Sequence, residues 1–455
     1  MRRGVRSFRA AAAALVLTCA LVSAPVAATA VDESPTPRPT ASRSPSPSPT
    51  PTPDPVRTSE YWLEELGIDE AWKTTRGEGT TIAVIDSGIA DDIDELDGAV
   101  VGGTDVSGVG SPDGRTPLGA NPETRSHGTW VASVAAARGT GEDEGMIGVA
   151  PEAKLLSVSL GFGSVSEVPF SDQVADAIVW SVDQGADIIN LSFTTNQTAW
   201  EESWDRAFQY AFDHDVVIIV AAGNRDSGTN MIGAPATMPE VLVVGGVDEE
   251  EKASRGASTQ GGTIAVSAPS EGLIGIGPTG EIDPWRGTSG SAPIVAGIAA
   301  LVRSAHPELD ADNVINRIVE TARHAKDQQG DRDPIYGFGI VDAEAAVNDD
   351  VPLVEGSPVT DITLKEWVRI NRGAEEPGET DPGPTPTPEP VNLPALPPLD
   401  PPAEAANPYL PSPESLREVT LPLMAVTAAG ILILLGVVAV SRRFRSSRDS
   451  HGSSS

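Results

Sequence analysis

Four short segments hold residue types that can perform acyl-transfer chemistry. Asp86 closes the run TIAVID and is followed by Ser87-Gly88, a turn that would present a carboxylate at the end of a strand. His127 sits in Ser126-His127-Gly128-Thr129, ahead of a small-residue helix expected over Trp130 to Ala137, with its ring free to turn toward a partner. Asn224 follows Ala221-Ala222-Gly223, where its amide N–H could bind an oxyanion, a contribution typically worth roughly 3 to 4 kcal/mol in a transition state. Ser289 lies in Gly287-Thr288-Ser289-Gly290-Ser291-Ala292-Pro293. Small neighbours there let a substrate backbone approach, and the helix that follows points its positive end at a developing negative charge. Three of the segments also have a plain structural reading: Asp86 as a helix cap, Ser289 or Ser291 as an N-cap, Asn224 as the start of a turn. The serine segment is neither the GxSxG elbow nor a GDSGG loop. The chain has five histidines; His214, His306, His324 and His451 lack a strand-edge or glycine-turn setting, and no pair has the HExxH spacing of a zinc hydrolase.

Such groups need a scaffold that brings distant positions together. Residues 81–86, 153–160, 186–193, 216–223, 241–247 and 263–269 are continuous apolar, β-branched runs, which suit strands of a parallel sheet covered on both faces. Helices are expected at Ser171 to Gln184, Trp200 to Asp213 and Ala292 to His306. The alternation predicts an α/β fold, a doubly wound, mostly parallel sheet with helices on both faces, in which active groups lie where strands end and helices begin.

Taken together the blocks resemble the subtilisin family: DSGI at 86–89, SHGTWVAS at 126–133, GVAP at 148–151, INLSF at 189–193, AAGN at 221–224 and GTSGSAPIVAG at 287–297, in the family's order Asp, His, Asn, Ser. The order separates the chain from chymotrypsin-like and α/β-hydrolase arrangements of the same triad. The resemblance implies a serine endopeptidase acting on polypeptides through an acyl-enzyme. In it Ser289 attacks, His127 shuttles the proton, Asp86 fixes the imidazole tautomer, and Asn224 with the Ser289 backbone N–H binds the oxyanion. It further implies that the peptide binds as an added strand along Leu191, Ser192, Phe193 and Thr194. Two departures bear on substrate preference: Phe193-Thr194 stands where the family usually has Leu-Gly, and Gly290-Ser291 where it has a bulky residue and Ala.

The ends of the chain read differently. Arg2, Arg3, Arg6 and Arg9, an apolar run from Ala10 to Val22 and Ala28-Thr29-Ala30 predict a signal peptide over 1–30. The one cysteine, Cys19, falls inside it, so the exported protein is expected to have no thiol, disulfide or cysteine-based metal site. A disordered Pro-rich arm is expected over 31–58, the peptidase domain over 59–348, and an acidic, Pro-rich spacer over 349–419. The spacer's Pro-rich stretch could reach on the order of 120 Å if fully extended. Residues 421–440 carry no charge and are followed by Arg442, Arg443, Arg445 and Arg448. This predicts a transmembrane helix over 420–441, a basic cytoplasmic tail over 442–455, and everything before them outside the cell membrane. Setting aside four Arg at each end and Asp449 leaves 23 basic against 64 acidic residues. Such a surface repels phosphate and argues against nucleic acid as a partner. The chemistry calls for no cofactor; a structural calcium is compatible with so acidic a chain, but no metal loop is assignable. This order of segments resembles the mycosins, proteases associated with type VII secretion in bacterial envelopes, as does the short arm, which is too short for a folded inhibitory propeptide. The missing cysteines depart from them. The mycosin likeness implies a secretion complex as a partner, and leaves open a structural role in which proteolysis is incidental.

Overall fold

The apolar runs become strands because each is buried from both sides. In this computed structural model, which describes residues 54–141, 143–163 and 166–373, seven strands form one sheet: β1 (Thr81–Asp86), β2 (Val100–Asp105), β3 (Lys154–Ser159), β4 (Ile188–Leu191), β5 (Val217–Ala221), β6 (Leu242–Val247) and β7 (Ile264–Pro269). Their order is β2-β3-β1-β4-β5-β6-β7, and all neighbouring pairs are parallel. A separate antiparallel hairpin joins β8 (Leu273–Ile276) to β9 (Ile282–Trp285). Three short helices open the described chain, α1 (Pro55–Ser59), α2 (Trp62–Glu65) and α3 (Ile68–Ala71). The main helices are α4 (Pro122–Ala136), α5 (Phe170–Asp183), α6 (Glu202–Asp213) and α7 (Thr288–Ala305), followed by α8 (Ala311–Glu320), α9 (Ala343–Asn348) and α10 (Leu364–Arg372).

Alternation along β1 divides the core in two. Ile82 and Val84 face one layer with Val131 and Val134 of α4, Ile294 and Ile298 of α7, and Val314 of α8. Ala83 and Ile85 face the other, with Val174 and Ile178 of α5 and Trp204 and Phe208 of α6. Helix α7 is apolar on every side and buried from Thr288 to Val302, as a helix must be when it runs through a core rather than over it.

The chain adds strands in opposite directions from β1, with β3 and β2 on one side and β4 to β7 on the other, and such a reversal opens a crevice at the carboxyl edge. Register aligns the strand ends there: Ile85 pairs with Leu191, and Leu191 with Val220. Asp86, the segment after Leu191 and the segment after Ala221 therefore emerge side by side.

Several expectations shift. Helix α4 begins at Pro122, not Trp130, so His127 stands inside the helix rather than ahead of it. Asn121 caps it by accepting the Thr124 N–H, and Pro122 supplies a first helical residue whose missing N–H costs nothing. The Asn-Pro pair was the available signal. The arm expected to be disordered to residue 58 ends in α1, capped by Asp54, and Arg57 and Asp54 bind the backbone of Gly145. The segment beyond 348 continues to α10, whose Leu364 is buried in the second layer. The expected signal peptide, the Pro-rich arm up to residue 53, the Pro-rich stretch of the spacer, the transmembrane helix and the tail lie outside the described residues. Among the described residues no helix is long and apolar enough to cross a membrane.

Candidate active site

Asp86 ends β1 with its side chain fully buried. Both carboxylate oxygens lie 2.9 Å from Nδ1 of His127, and Oδ1 also accepts the N–H of Ser87 at 2.6 Å. This approach depends on a glycine: a Cβ on Gly128 would come within 2.4 Å of the Gly88 carbonyl oxygen, so a side chain there would push α4 off the turn after β1. Ser87 Oγ accepts the Gly128 N–H at 2.9 Å and ties the two segments together. The His127 side chain stays about a quarter exposed, at 24%. Burial disfavours its charged form, but attraction and hydrogen bonding from Asp86, with Glu123 adding to them, outweigh that and raise its pKa above the ordinary histidine value.

Ser289 occupies the first turn of α7 and is 9% exposed. Its hydroxyl donates to the carbonyl of Ser192 at 3.0 Å, while the Ser192 hydroxyl donates to the carbonyl of Ser289 at 2.9 Å. Sequence explains the second bond. Pro293, four residues on, has no N–H to offer the Ser289 carbonyl, and Ser192 supplies the missing donor. Asn190 Nδ2 in turn donates to Ser192 Oγ at 2.9 Å. Among the described residues no hydrogen bond joins Ser289 to His127 in this rotamer. Trp285 links them spatially: its ring meets the imidazole edge-on, with centroids 5.8 Å apart, and its Cζ2 lies 3.3 Å from where a Cβ on Gly290 would stand.

Asn224 leaves the end of β5 with its amide orientation fixed. Oδ1 accepts both the N–H of Thr288 at 2.8 Å and the Thr288 hydroxyl at 2.9 Å. Nδ2 therefore faces the other way, with no hydrogen-bond partner among the described residues, ready to donate. Gly287, at φ +136°, makes room for it: a Cβ there would lie 2.7 Å from Nδ2. Thr288 also accepts the Gly223 N–H at 3.0 Å, so one side chain fastens the end of β5 to the start of α7.

The structure brings Asp86, His127, Asn224 and Ser289 to one edge, together with Ser192, Phe193 and Thr194. Leu191 differs: it is fully buried in the second layer, so it has no side chain to offer a groove and contributes backbone alone. Phe193 packs edge-on against Phe162 and Phe170, at 6.0 and 5.4 Å between centroids. The Gly290 departure has a compensating side chain, since a Cβ at 290 would strike Leu273 Cδ1 at 2.3 Å. Sequence reasoning missed Thr288 and Trp285; Thr288 was signalled by standing next to Ser289, whereas nothing local marked Trp285, which arrives on the β8–β9 hairpin. Away from the site, His214 and His306 bond backbone carbonyls of Tyr210 and Val347. Among the described residues no cluster of three or more His, Cys, Asp or Glu side chains is arranged to hold a metal ion.

The geometry agrees with what comparison finds. Residues 77–339 match the model of the Subtilase family, Peptidase_S8. The chain is 32% identical over 334 residues to Mycosin-4 of Mycobacterium tuberculosis (strain ATCC 25618 / H37Rv), covering 65% of this chain and 70% of that one. It is 32% identical over 289 residues to thermitase of Thermoactinomyces vulgaris, covering 64% and 94%. Among solved structures, MycP1 from the ESX-1 type VII secretion system superposes with a TM-score of 0.56 at 28% identity, over 66% of this chain and 89% of that one.

Proposed function

This chain belongs to the subtilase family, a mycosin-like serine protease acting on polypeptides, and we propose that Asp86, His127, Asn224 and Ser289 are the groups with which it cuts them. The observation that carries the assignment is the pairing of His127 Nδ1 with both oxygens of a fully buried Asp86, at the edge that also holds the Ser289 hydroxyl and an unpartnered Asn224 Nδ2. Asp86 holds the proton on Nδ1, which leaves Nε2 as the base. The Ser289 hydroxyl rotates off the Ser192 carbonyl, loses its proton to Nε2 and bonds to the peptide carbonyl carbon. The oxygen of that carbonyl gathers charge toward Asn224 Nδ2 and the N–H at the start of α7. The amine leaves with the proton from His127, and water then releases the acyl group by the same steps in reverse. None of these steps uses a cofactor. The full-length chain is expected to react with a fluorophosphonate, and the Ser289→Ala variant to remain unlabelled; equal labelling of both would refute the assignment.

The same proposal places the catalytic body outside the cell membrane, held by the apolar stretch 421–440 with a cytoplasmic tail. It rests on the charge-free run, the Arg cluster after it and the signal-like first thirty residues. Protease added to intact cells should remove the body and spare a tag placed after Ser455. The likeness to MycP1, whose structure is described as part of a type VII secretion system, supports a second role as a component of a secretion complex. Secretion that survives Ser289→Ala but not deletion of the whole chain would favour that role.

A further inference from the structure

We infer that this site cleaves after small residues, because Thr194 and Thr229 fill the space into which the side chain preceding the scissile bond must go. The inference rests on the assignment of Ser289 and Asn224 above. With the attacked carbon at Ser289 Oγ and its oxygen at Asn224 Nδ2, the residue that owns that carbonyl lies between two neighbouring strand extensions, 192–194 after β4 and 222–224 after β5. The Ser192 carbonyl stands 3.0 Å from the Ser289 hydroxyl on one side, and Asn224 borders the other. Between these walls Gly223, at φ +103°, offers no side chain, which by itself would leave a pocket.

That pocket is occupied from within. A Cβ on Gly223 would lie 2.6 Å from Thr229 Cγ2 and 2.8 Å from Thr194 Cγ2, so both methyl groups already sit against it. Neither is free to swing away. Thr229 is buried, at 8% exposure, and Thr194 Oγ1 donates across the gap to the Gly233 carbonyl at 2.9 Å. The floor is closed by backbone: Thr195 N–H bonds the Ala234 carbonyl at 2.8 Å, and Ala234 N–H bonds the Gln197 carbonyl at 2.7 Å. A glycine at 194 would leave the wall open; the threonine in this sequence spans it. What remains suits Gly, Ala or Ser, whereas Leu, Phe or a long basic side chain would have to break the Thr194 bond to enter.

The test is a pair of fluorogenic peptides differing in one position, Ala or Phe before the cleaved bond, with full-length wild type and the variants Thr194→Gly, Thr229→Ala and Thr194→Ser. Wild type is expected to favour Ala by at least about tenfold in kcat/KM, the scale on which a pocket separates side chains by size. Thr194→Gly and Thr229→Ala should each narrow that ratio through the Phe peptide, and Thr194→Ser, which loses the methyl group but keeps the hydroxyl bond to the Gly233 carbonyl, should narrow it less than Thr194→Gly. Wild type that cuts after Phe as readily as after Ala overturns the inference, as does a ratio unmoved in both opened variants. If Thr194→Gly fails to fold, Thr229→Ala decides alone. Labelling by a small alkyl fluorophosphonate separates the two levels: wild type that labels yet prefers Phe refutes the pocket and leaves the catalytic assignment standing, while wild type that does not label refutes both.

Discussion

Asp86 and Glu60 are both buried, and the fold treats their carboxyl groups in opposite ways. Asp86, at the crevice, has both oxygens answered by His127 and a backbone N–H answering Oδ1. Glu60, where α1 and α2 clamp the loop at 144–147, has a side chain equally closed to solvent but accepts one bond, from the Ile147 N–H at 3.0 Å, and its Oε2 has no hydrogen-bond partner. Arg57 Nε stands 3.8 Å from that oxygen but donates to the Gly145 carbonyl at 2.5 Å. Burial therefore dominates over the Ile147 bond and the Arg57 charge, and pushes the Glu60 carboxyl up to about 8. Burial alone does not make a carboxyl a working charge. His127 answers both oxygens of Asp86, whereas the want of such a partner leaves Glu60 holding a proton at neutral pH.

Three substitutions sharpen the contrast, and the largest effect belongs to the answered carboxyl. Asp86→Asn should lower kcat by about 10⁴-fold by favouring the wrong imidazole tautomer, measured by peptide hydrolysis with unchanged circular dichroism as the check on folding; retained activity would put Asp86 on a level with Glu60. Asn224→Ala should cost about 10²- to 10³-fold in kcat with KM little changed, because its Nδ2 acts on charge that appears only in the transition state. Glu60→Gln should leave kcat/KM unaltered and act on stability. With a carboxyl raised in the folded state, the wild type is most stable below the unfolded value near 4.5 and loses stability as pH climbs through about 8, where the folded group must also ionise. Relative to Glu60→Gln, wild type should lose on the order of 3 to 5 kcal/mol between pH 4 and 9 in urea denaturation. Parallel pH curves for the two proteins would mean that Glu60 is already ionised in the native state.

The same contrast shows what could be read from residue order. Asp86, His127, Asn224 and Ser289 were legible because each lies within a distinctive run of neighbours, and the strands because β-branched runs without polar breaks fit few other places. Strand β2 escaped notice because Gly102-Gly103 interrupts its apolar pattern, and β8 and β9 because each has four residues, with Pro284 in the second. Glu60 was invisible for a different reason. Its setting is made by Ile147 and Arg57, and nothing in a Ser-Glu-Tyr sequence tells a buried carboxyl from an exposed one. Thr194 marked a departure from its relatives in sequence, but its reach to Gly233 and its contact with Gly223 depend on the third dimension.

The central claim is that the Asp86-bound imidazole is the base for Ser289, and the rate of fluorophosphonate labelling of the full-length chain against pH tests it most directly. The base must be neutral, and its pKa is raised by Asp86 and Glu123. The rate should therefore fall with acid through a single ionisation whose midpoint lies above the ordinary histidine value of about 6.5. Glu60→Gln should share the midpoint of wild type. A rate that stays constant from pH 5 to 9 would contradict the account.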